Sequence, residues 1–384
     1  MNSKQSLHSR VSTLNADVSN DTTVDVEVTT SNTYSVTIQN KYVARDFLSV
    51  LRRLMREASA QRVVVLSDKN VGKIIAKHMI KEMEEDGLQV DAFFMPVGER
   101  SKSTDMLVTL WKQLKETGIE RRSLILGIGG GVVCDIAGLV AATYLRGLPY
   151  MLVPTSLMAQ VDAAIGGKVG ADFLSTKNWI GSFYHPIGVT MFTEHLNSLS
   201  DEEFSNGMAE LIKVGAIMGS TLWDNLEGMS TPSLRNDLPT LTRLIQTGFT
   251  AKLNFLAPDP FEVSSLDREL NFGHCLGHAI EAASDFELRH GFAVAIGMAM
   301  ALRIGYAKGI SDKSLLYAME VRLKAHNLPT VLPISLIEDS WSGVEDLRKV
   351  RNGALRMAIP STPGKTVFIN DVTFSEFKKA ASYV

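Results

Sequence analysis

Cysteine is almost absent: Cys134 and Cys275 are the only two in a chain of 384 residues. Two cysteines build no disulfide framework, and neither belongs to a Cys-x-x-Cys pair, so the chain reads as a cytoplasmic protein of a reducing compartment. There is no run of eighteen or more apolar residues either, so no membrane-spanning helix is expected. Neither sign of charge dominates, and a formal net charge of -3 makes no electrostatic case for nucleic acid. The first thirty or so residues are rich in Ser, Thr, Asn and Asp but lack the apolar stretch of a secretory signal, and Asp17, Asp21, Asp25 and Glu27 argue against a transit peptide.

What is present is ordinary for a folded protein: 45% hydrophobic and 21% charged residues, in a length that usually means two domains. Residues 1–23 read as a disordered tail. From Val24, the alternation in Val24–Val28 and again in Tyr34–Ile38, around Ser31-Asn32, predicts a two-stranded edge hairpin. Short apolar runs at Val63–Asp68, Ala92–Val97, Ser123–Ile128, Tyr150–Pro154 and Val189–Phe192 then alternate with amphipathic stretches. That rhythm predicts a Rossmann-like α/β domain, a parallel sheet covered by helices, over residues 24–198. Beyond it, helical patterns at Asp201–Met218, Leu238–Leu256, Leu270–Ala283, Phe292–Lys308 and Ser311–His326 predict a mostly helical domain over 199–384. Strand-like runs are scarce there until Ala354–Ile359. Small-molecule sites often lie between two such domains.

Histidine marks the most informative stretch. Asn271-Phe272-Gly273-His274-Cys275-Leu276-Gly277-His278, followed by His290-Gly291, holds three of the eight histidines. On a helix, His274 and His278 lie one turn apart and their imidazoles can converge. Such pairs also occur on half-buried faces without function, but the surrounding Gly273, Gly277, Ala279, Ala282 and Ala283 suggest close backbone packing. A catalytic zinc commonly takes three protein ligands and leaves one position open. In Gly207–Lys213, Glu210 and Lys213 stand at i, i+3 among apolar neighbours. An exposed pair there would contribute little, whereas a buried carboxylate needs a cation. Glu210 is therefore a candidate third ligand in place of His278.

Gly127-Ile128-Gly129-Gly130-Gly131-Val132 follows a predicted strand and opens a helix, where glycines let backbone N–H groups approach a phosphate. Val132 stands where the third glycine of the dinucleotide fingerprint belongs, so a tight strand-to-helix turn is the competing reading. With Asp68 at a strand end as a ribose acceptor, the inference is a nicotinamide cofactor. Asp162, Lys168, Lys177 and Asn178, on a glycine-rich and irregular segment, suggest an anion cradle to which Arg146 and Arg348 add guanidinium groups.

Taken in order, Gly129–Asp135, Ala141–Gly147, Val153–Leu157, Asp162–Lys168, Lys177-Asn178, Gly207–Lys213 and Asn271–His278 resemble the 3-dehydroquinate synthase family of sugar phosphate cyclases, from about Val24 to the C-terminus. The resemblance implies an NAD- and zinc-dependent homodimer, with cobalt as an alternative ion and a small sugar phosphate as substrate. It implies metal ligands Glu210, His274 and His290, with His278 in proton transfer or support. NAD contacts carry over to Asp68, Glu99, Lys102, Gly130, Gly131, Asp135, Thr155 and Ser156, with Val132 beside them in the glycine turn. Substrate contacts carry over to Asp162, Lys168, Lys177, Asn178, Lys213 and Asn271, and Arg146 is expected to reach the phosphate held by a neighbouring subunit. The implied reaction is oxidation of a ring hydroxyl, phosphate elimination, reduction by the same cofactor, ring opening and aldol closure.

Two departures bear on the substrate. Where 3-dehydroquinate synthases carry an arginine for the substrate carboxylate, four residues before the asparagine, this chain has Asp267, with Arg268 adjacent. Lys252, the counterpart of a second carboxylate-binding lysine, is displaced by one and followed by Pro258–Glu262 instead of an acidic run. These features resemble cyclases of sedoheptulose 7-phosphate, which has no carboxylate and gives valiolone-type cyclitols. Asn271 and His278 match 3-dehydroquinate synthases, the alternative. A metal-dependent polyol dehydrogenase is the reading from another class.

Overall fold

The computed structural model describes residues 11–20, 23–174, 176–263 and 268–382. They form two compact units. The first holds the chain up to Thr155 together with Gly167–Phe192; the second holds Ser156–Gly166 and Thr193 onwards. The division thus falls at Phe192/Thr193, earlier than the expected residue 198, and the eleven-residue segment Ser156–Gly166 belongs with the second unit.

The first unit is built on a six-stranded parallel sheet. Its strands are β3 (Ser35–Gln39), β4 (Arg62–Asp68), β5 (Gln89–Met95), β6 (Ser123–Gly129), β7 (Tyr150–Pro154) and β10 (Gly188–Phe192), in the spatial order β3-β10-β7-β6-β4-β5. Every residue of β6, β7 and β10 is buried, as continuous apolar runs covered on both faces require. Period-two alternation sends Val63 and Val65 of β4 into one core with Phe47, Leu51 and Leu54 of the Ala44–Glu57 helix. The Gly131–Thr143 helix packs against β6 and β7. It approaches so closely that a Cβ on Gly127 would stand 2.8 Å from that of Ala137. The chain runs outward from β4 to β5 and then returns to the other side of β4 as β6. The strand order reverses between β4 and β6, and in open parallel sheets the carboxyl ends at such a reversal are where ligands bind.

Three expectations fail here. Val24–Val28 does pair in a hairpin, but with the segment upstream: β1 (Val11–Asn20) lies antiparallel to β2 (Thr23–Ser31), so strand structure reaches into the presumed tail. β-Branched residues such as Thr and Val suffice for a backbone ladder, which apolar alternation does not reveal. Tyr34–Ile38 falls instead on β3, a parallel edge strand beside β10. The lysine-bearing segment is also regular: β8 (Lys168–Phe173) and β9 (Thr176–Phe183) form an antiparallel ribbon.

In the second unit the Asp201–Met218 and Leu238–Leu256 helices have the predicted bounds. The His290–Ala307 helix is long and apolar enough to cross a membrane, but 78% of it is buried inside the protein, as a core helix. Its packing depends on glycine. A Cβ on Gly297 would meet the Gly273 carbonyl oxygen at 2.1 Å, and Gly273 itself has φ +77°, a left-handed conformation. Gly273 therefore delays the start of the predicted Leu270–Ala283 helix: it begins at His274, and Asn271 lies on a separate short turn, Glu269–Asn271. The Ile337–Val350 helix and the hairpin of β11 (Met357–Thr362) and β12 (Lys365–Ile369) complete the unit with the Phe374–Ala381 helix.

Candidate active site

The second unit gathers Glu210, Lys213, His274, His278 and His290 from three helices. The ligand nitrogens of the three histidines lie within 4.8 Å of one another. Glu210 is almost wholly buried, and His274 Nε2 and His290 Nε2 stand 3.4 and 3.5 Å from the same carboxylate oxygen, Oε1. The other rim of each imidazole shows which nitrogen carries the proton. His274 Nδ1 lies 3.2 Å from the Phe272 carbonyl oxygen, and His290 Nδ1 lies 3.3 Å from Glu281 Oε2. Both partners are acceptors, so in the neutral rings each Nδ1 donates and each Nε2 turns a lone pair toward Oε1. Oε1 accepts no hydrogen bond among the described residues.

With both rings neutral, three lone pairs converging in a buried place repel unless a cation stands among them, either a proton taken up by His290 or a metal ion in its stead. Two ligands about 2.1 Å from a tetrahedral ion are separated by about 3.4 Å, which matches these contacts. Glu210, His274 and His290 thus fit a divalent metal, with His278, the most exposed of the four, at the rim.

Charge around the pocket is arranged accordingly. Burial opposes ionisation of Glu210, but Lys213 Nζ, 2.5 Å from Oε2, and the two imidazoles outweigh it and hold the carboxyl well below its ordinary range. Burial and then Lys213 push His274 down in the same way. His290 goes the other way: burial disfavours its charge, yet Glu210 and Glu281 bring it up to about 9 in the ion-free protein. The start of the His290 helix is fixed on the Glu210 helix, since Gly291 N–H donates to Asn206 Oδ1 at 2.7 Å. Only glycine allows that approach, because a Cβ there would lie 2.0 Å from the Asn206 carbonyl oxygen.

Asp162 and Lys252 meet in the same unit. The three N–H donors of Lys252 have three protein acceptors: Asp162 Oδ1 at 2.8 Å, the Asp162 carbonyl at 2.5 Å and the Ile165 carbonyl at 3.1 Å. Burial works against the Asp162 charge, but Lys252 outweighs it and lowers its pKa. Arg268 is likewise engaged, by Glu262 at 3.0 Å and Asp259 at 3.5 Å. Arg348 donates to Glu345, Asn370 and Val372 near the C-terminus and does not join this cluster. Asp267 lies outside the described residues, and Ser156 accepts a bond from Ala159 N–H at the start of its turn.

The first unit carries the other set. Asp68 and the Gly129–Gly131 turn end β4 and β6, the strands flanking the reversal. Gly130 precedes the Gly131–Thr143 helix without a side-chain cap, so the N–H groups of Gly131, Val132 and their neighbours are open to an anion. One Asp68 oxygen accepts from Asn70 and Val71 N–H. Thr155 N–H donates to the Gly129 carbonyl at 2.9 Å and braces the turn. Lys102, buried, pairs with Asp135; burial lowers its pKa, but Asp135 and Glu99 prevail and raise it. Glu99 also pairs with Lys177 at 2.9 Å, and Asn178, at φ +52°, donates its N–H to Asp172. Asp172 in turn donates its own N–H to the Lys102 carbonyl, which ties the β8–β9 ribbon to the Glu99–Lys102 turn. Lys168 is exposed at the head of β8. Arg146 is exposed too, and both it and Leu145 have positive φ, a strained backbone for residues other than glycine.

Glu281 and Asp172 were not among the expected residues. For Glu281 a signal existed: it stands seven residues after His274 and three after His278, on one helix face.

Two adjoining family models cover this arrangement: 3-dehydroquinate synthase N-terminal over residues 92–206 and 3-dehydroquinate synthase C-terminal over residues 207–349. The chain belongs to the 3-dehydroquinate synthase-like sugar phosphate cyclases. The cyclase is 39% identical to a 2-epi-valiolone synthase of Stigmatella aurantiaca, over 94% of this chain and 90% of that one. It is 36% identical to a 3-dehydroquinate synthase of Rhodopirellula baltica, over 81% of this chain and 83% of that one. Among solved structures it is similar to ValA, a 2-epi-5-epi-valiolone synthase from Streptomyces hygroscopicus with NAD+ and Zn2+ bound, at a TM-score of 0.85 and 27% identity, covering 93% and 98% of the two chains. The cyclase is therefore an enzyme of the lyase class.

Proposed function

We propose that the cyclase uses NAD and a divalent metal, zinc in first place, to convert sedoheptulose 7-phosphate to a valiolone-type cyclitol. The observation that carries the substrate assignment is the state of the two cations nearest the family's carboxylate-binding positions. Lys252 spends its three donors on Asp162 and Ile165, and Arg268 is paired with Asp259 and Glu262. A substrate carboxylate entering there would have to break these half-buried ion pairs before it was recognised, whereas a hydroxymethyl group would not. The similarity to a 2-epi-valiolone synthase supports the same assignment.

When bound, NAD supplies a hydride acceptor that becomes the donor later in the turnover, and the metal supplies Lewis acidity at the reacting oxygen. Glu210, His274 and His290 hold the metal. Lys213, beside Glu210, offers an ammonium to the developing negative charge, and His278 at the rim exchanges protons with the substrate. Asp68, Thr155, Ser156, Asp135 and the Gly130–Val132 turn bind the cofactor, with Glu99 and Lys102. Lys168, Lys177, Asn178, Asp162 and Asn271 bind the sugar phosphate. The strained, exposed Arg146 supports its reaching into a second copy's phosphate site, which makes the working form a homodimer.

Phosphate release by metal-loaded enzyme with NAD distinguishes the substrates. Release from sedoheptulose 7-phosphate is expected, without net accumulation of NADH. Release from the heptulosonate substrate alone would replace this reading with 3-dehydroquinate synthase, which the matching Asn271 and His278 favour.

A further inference from the structure

His274 and His290 are oriented by different means. The acceptor behind His274 is a backbone carbonyl, Phe272 O, which the chain supplies whatever the side chains are. The acceptor behind His290 is a side chain, Glu281 Oε2, 3.3 Å from Nδ1. Glu281 is itself 3% exposed, on the helix that carries His274 and His278, and a carboxylate so buried is costly unless it is paired.

We propose that Glu281 is the positioning residue of the metal pocket: by accepting the Nδ1 proton of His290, it keeps the Nε2 lone pair aimed at the point shared with Glu210 and His274. The inference rests on the metal reading of the pocket. Glu281 acts through His290. A carboxylate behind a ligating imidazole holds the ring's tautomer and angle and makes its far nitrogen a better donor, and losing such a partner typically weakens metal binding about 10- to 100-fold. Among the described residues no backbone group accepts from His290 Nδ1, in contrast to His274, so the effect falls on one ligand.

The test is zinc affinity of the full-length enzyme, measured by competition with a chromophoric chelator, beside the melting temperature of the metal-stripped protein. Glu281→Ala is expected to raise the zinc Kd by about 10- to 100-fold. Glu281→Gln, which keeps an acceptor and loses the charge, is expected to fall between Ala and wild type. A merely structural Glu281 would lower the melting temperature and leave the Kd of the folded protein unchanged, which overturns the proposal. A second measurement needs no variant: in zinc-loaded wild-type enzyme labelled with 15N-histidine, His290 is expected to carry its proton on Nδ1, and a proton on Nε2 overturns the assignment. His290→Ala separates the two readings. Zinc affinity equal to wild type in that variant would remove the metal pocket itself, whereas a large loss there with an unchanged Glu281→Ala would remove only the role of Glu281.

Discussion

In the first unit the candidate cofactor cradle at the ends of β4 and β6 is mostly backbone, while the candidate metal pocket of the second is almost wholly side chain. At the ends of β4 and β6 the chain offers N–H groups of a glycine turn, a helix N-terminus and one strand-end carboxylate, all set by the local strand–turn–helix geometry. The candidate metal pocket draws Glu210, His274 and His290 from three helices, with Phe272 and Glu281 hydrogen-bonded behind the two imidazoles. A backbone site follows wherever the local fold forms; a side-chain site depends on how separate helices pack. The two should therefore fail separately.

The largest separation is expected from Glu210→Ala. Removing the carboxylate on which both imidazoles converge should lower kcat/KM by about 10^3-fold or more, with loss of tight zinc binding. NAD affinity, read by fluorescence titration, should stay within about twofold of wild type. Equal losses of metal and NAD binding would show the two sites to be one cooperative structure.

Next in size is acid destabilisation of the helical unit. His326 is fully buried beside Thr231, and burial lowers its pKa to about 4. The folded value lies below the unfolded value of about 6.5, so the stability that neutral His326 contributes is complete above pH 6.5 and is lost as pH falls toward 4. The loss amounts to at most about 3 kcal/mol. Denaturant melts across that range should show it, and His326→Gln should flatten the slope. His195, lowered to about 4 by burial, adds a second contribution of the same sign.

Smaller again is the converse of the first experiment. A methyl group on Gly129 would stand 2.4 Å from Val133 Cγ2, so Gly129→Ala should push the turn away from the helix it feeds. The cost of such overpacking is about 1–3 kcal/mol. NAD binding should weaken by about tenfold while zinc affinity is unchanged. An unaltered NAD affinity would show that the turn is not the cofactor's cradle.

Much of this was legible beforehand, and unevenly. Four core strands stood out because strands buried on both faces must be continuous apolar runs bounded by turns, and β4, β6, β7 and β10 fall where those runs do, whereas β5, partly exposed at the sheet edge, starts three residues before its run. Alternation at Tyr34–Ile38 marked a strand but not its partner, since period two carries no information on what lies alongside. The β8–β9 ribbon was hidden by its glycines and lysines. Asn271 was assigned to the helix of His274 because helical spacing ignores the left-handed Gly273 between them. Lys252 had the right residue type for a substrate contact, and only coordinates show its three donors already taken.

Local spacing and side-chain chemistry were enough to read the α/β and helical halves, the glycine turn and the residue types of the candidate metal pocket straight from the chain. Tertiary structure alone decided which imidazole nitrogens face Glu210, that Glu281 stands behind His290, and that Lys252 and Arg268 are internally paired. These depend on distances of a few ångströms between residues up to tens of positions apart, and hydrogen bonds and ion pairs are made or lost over such distances.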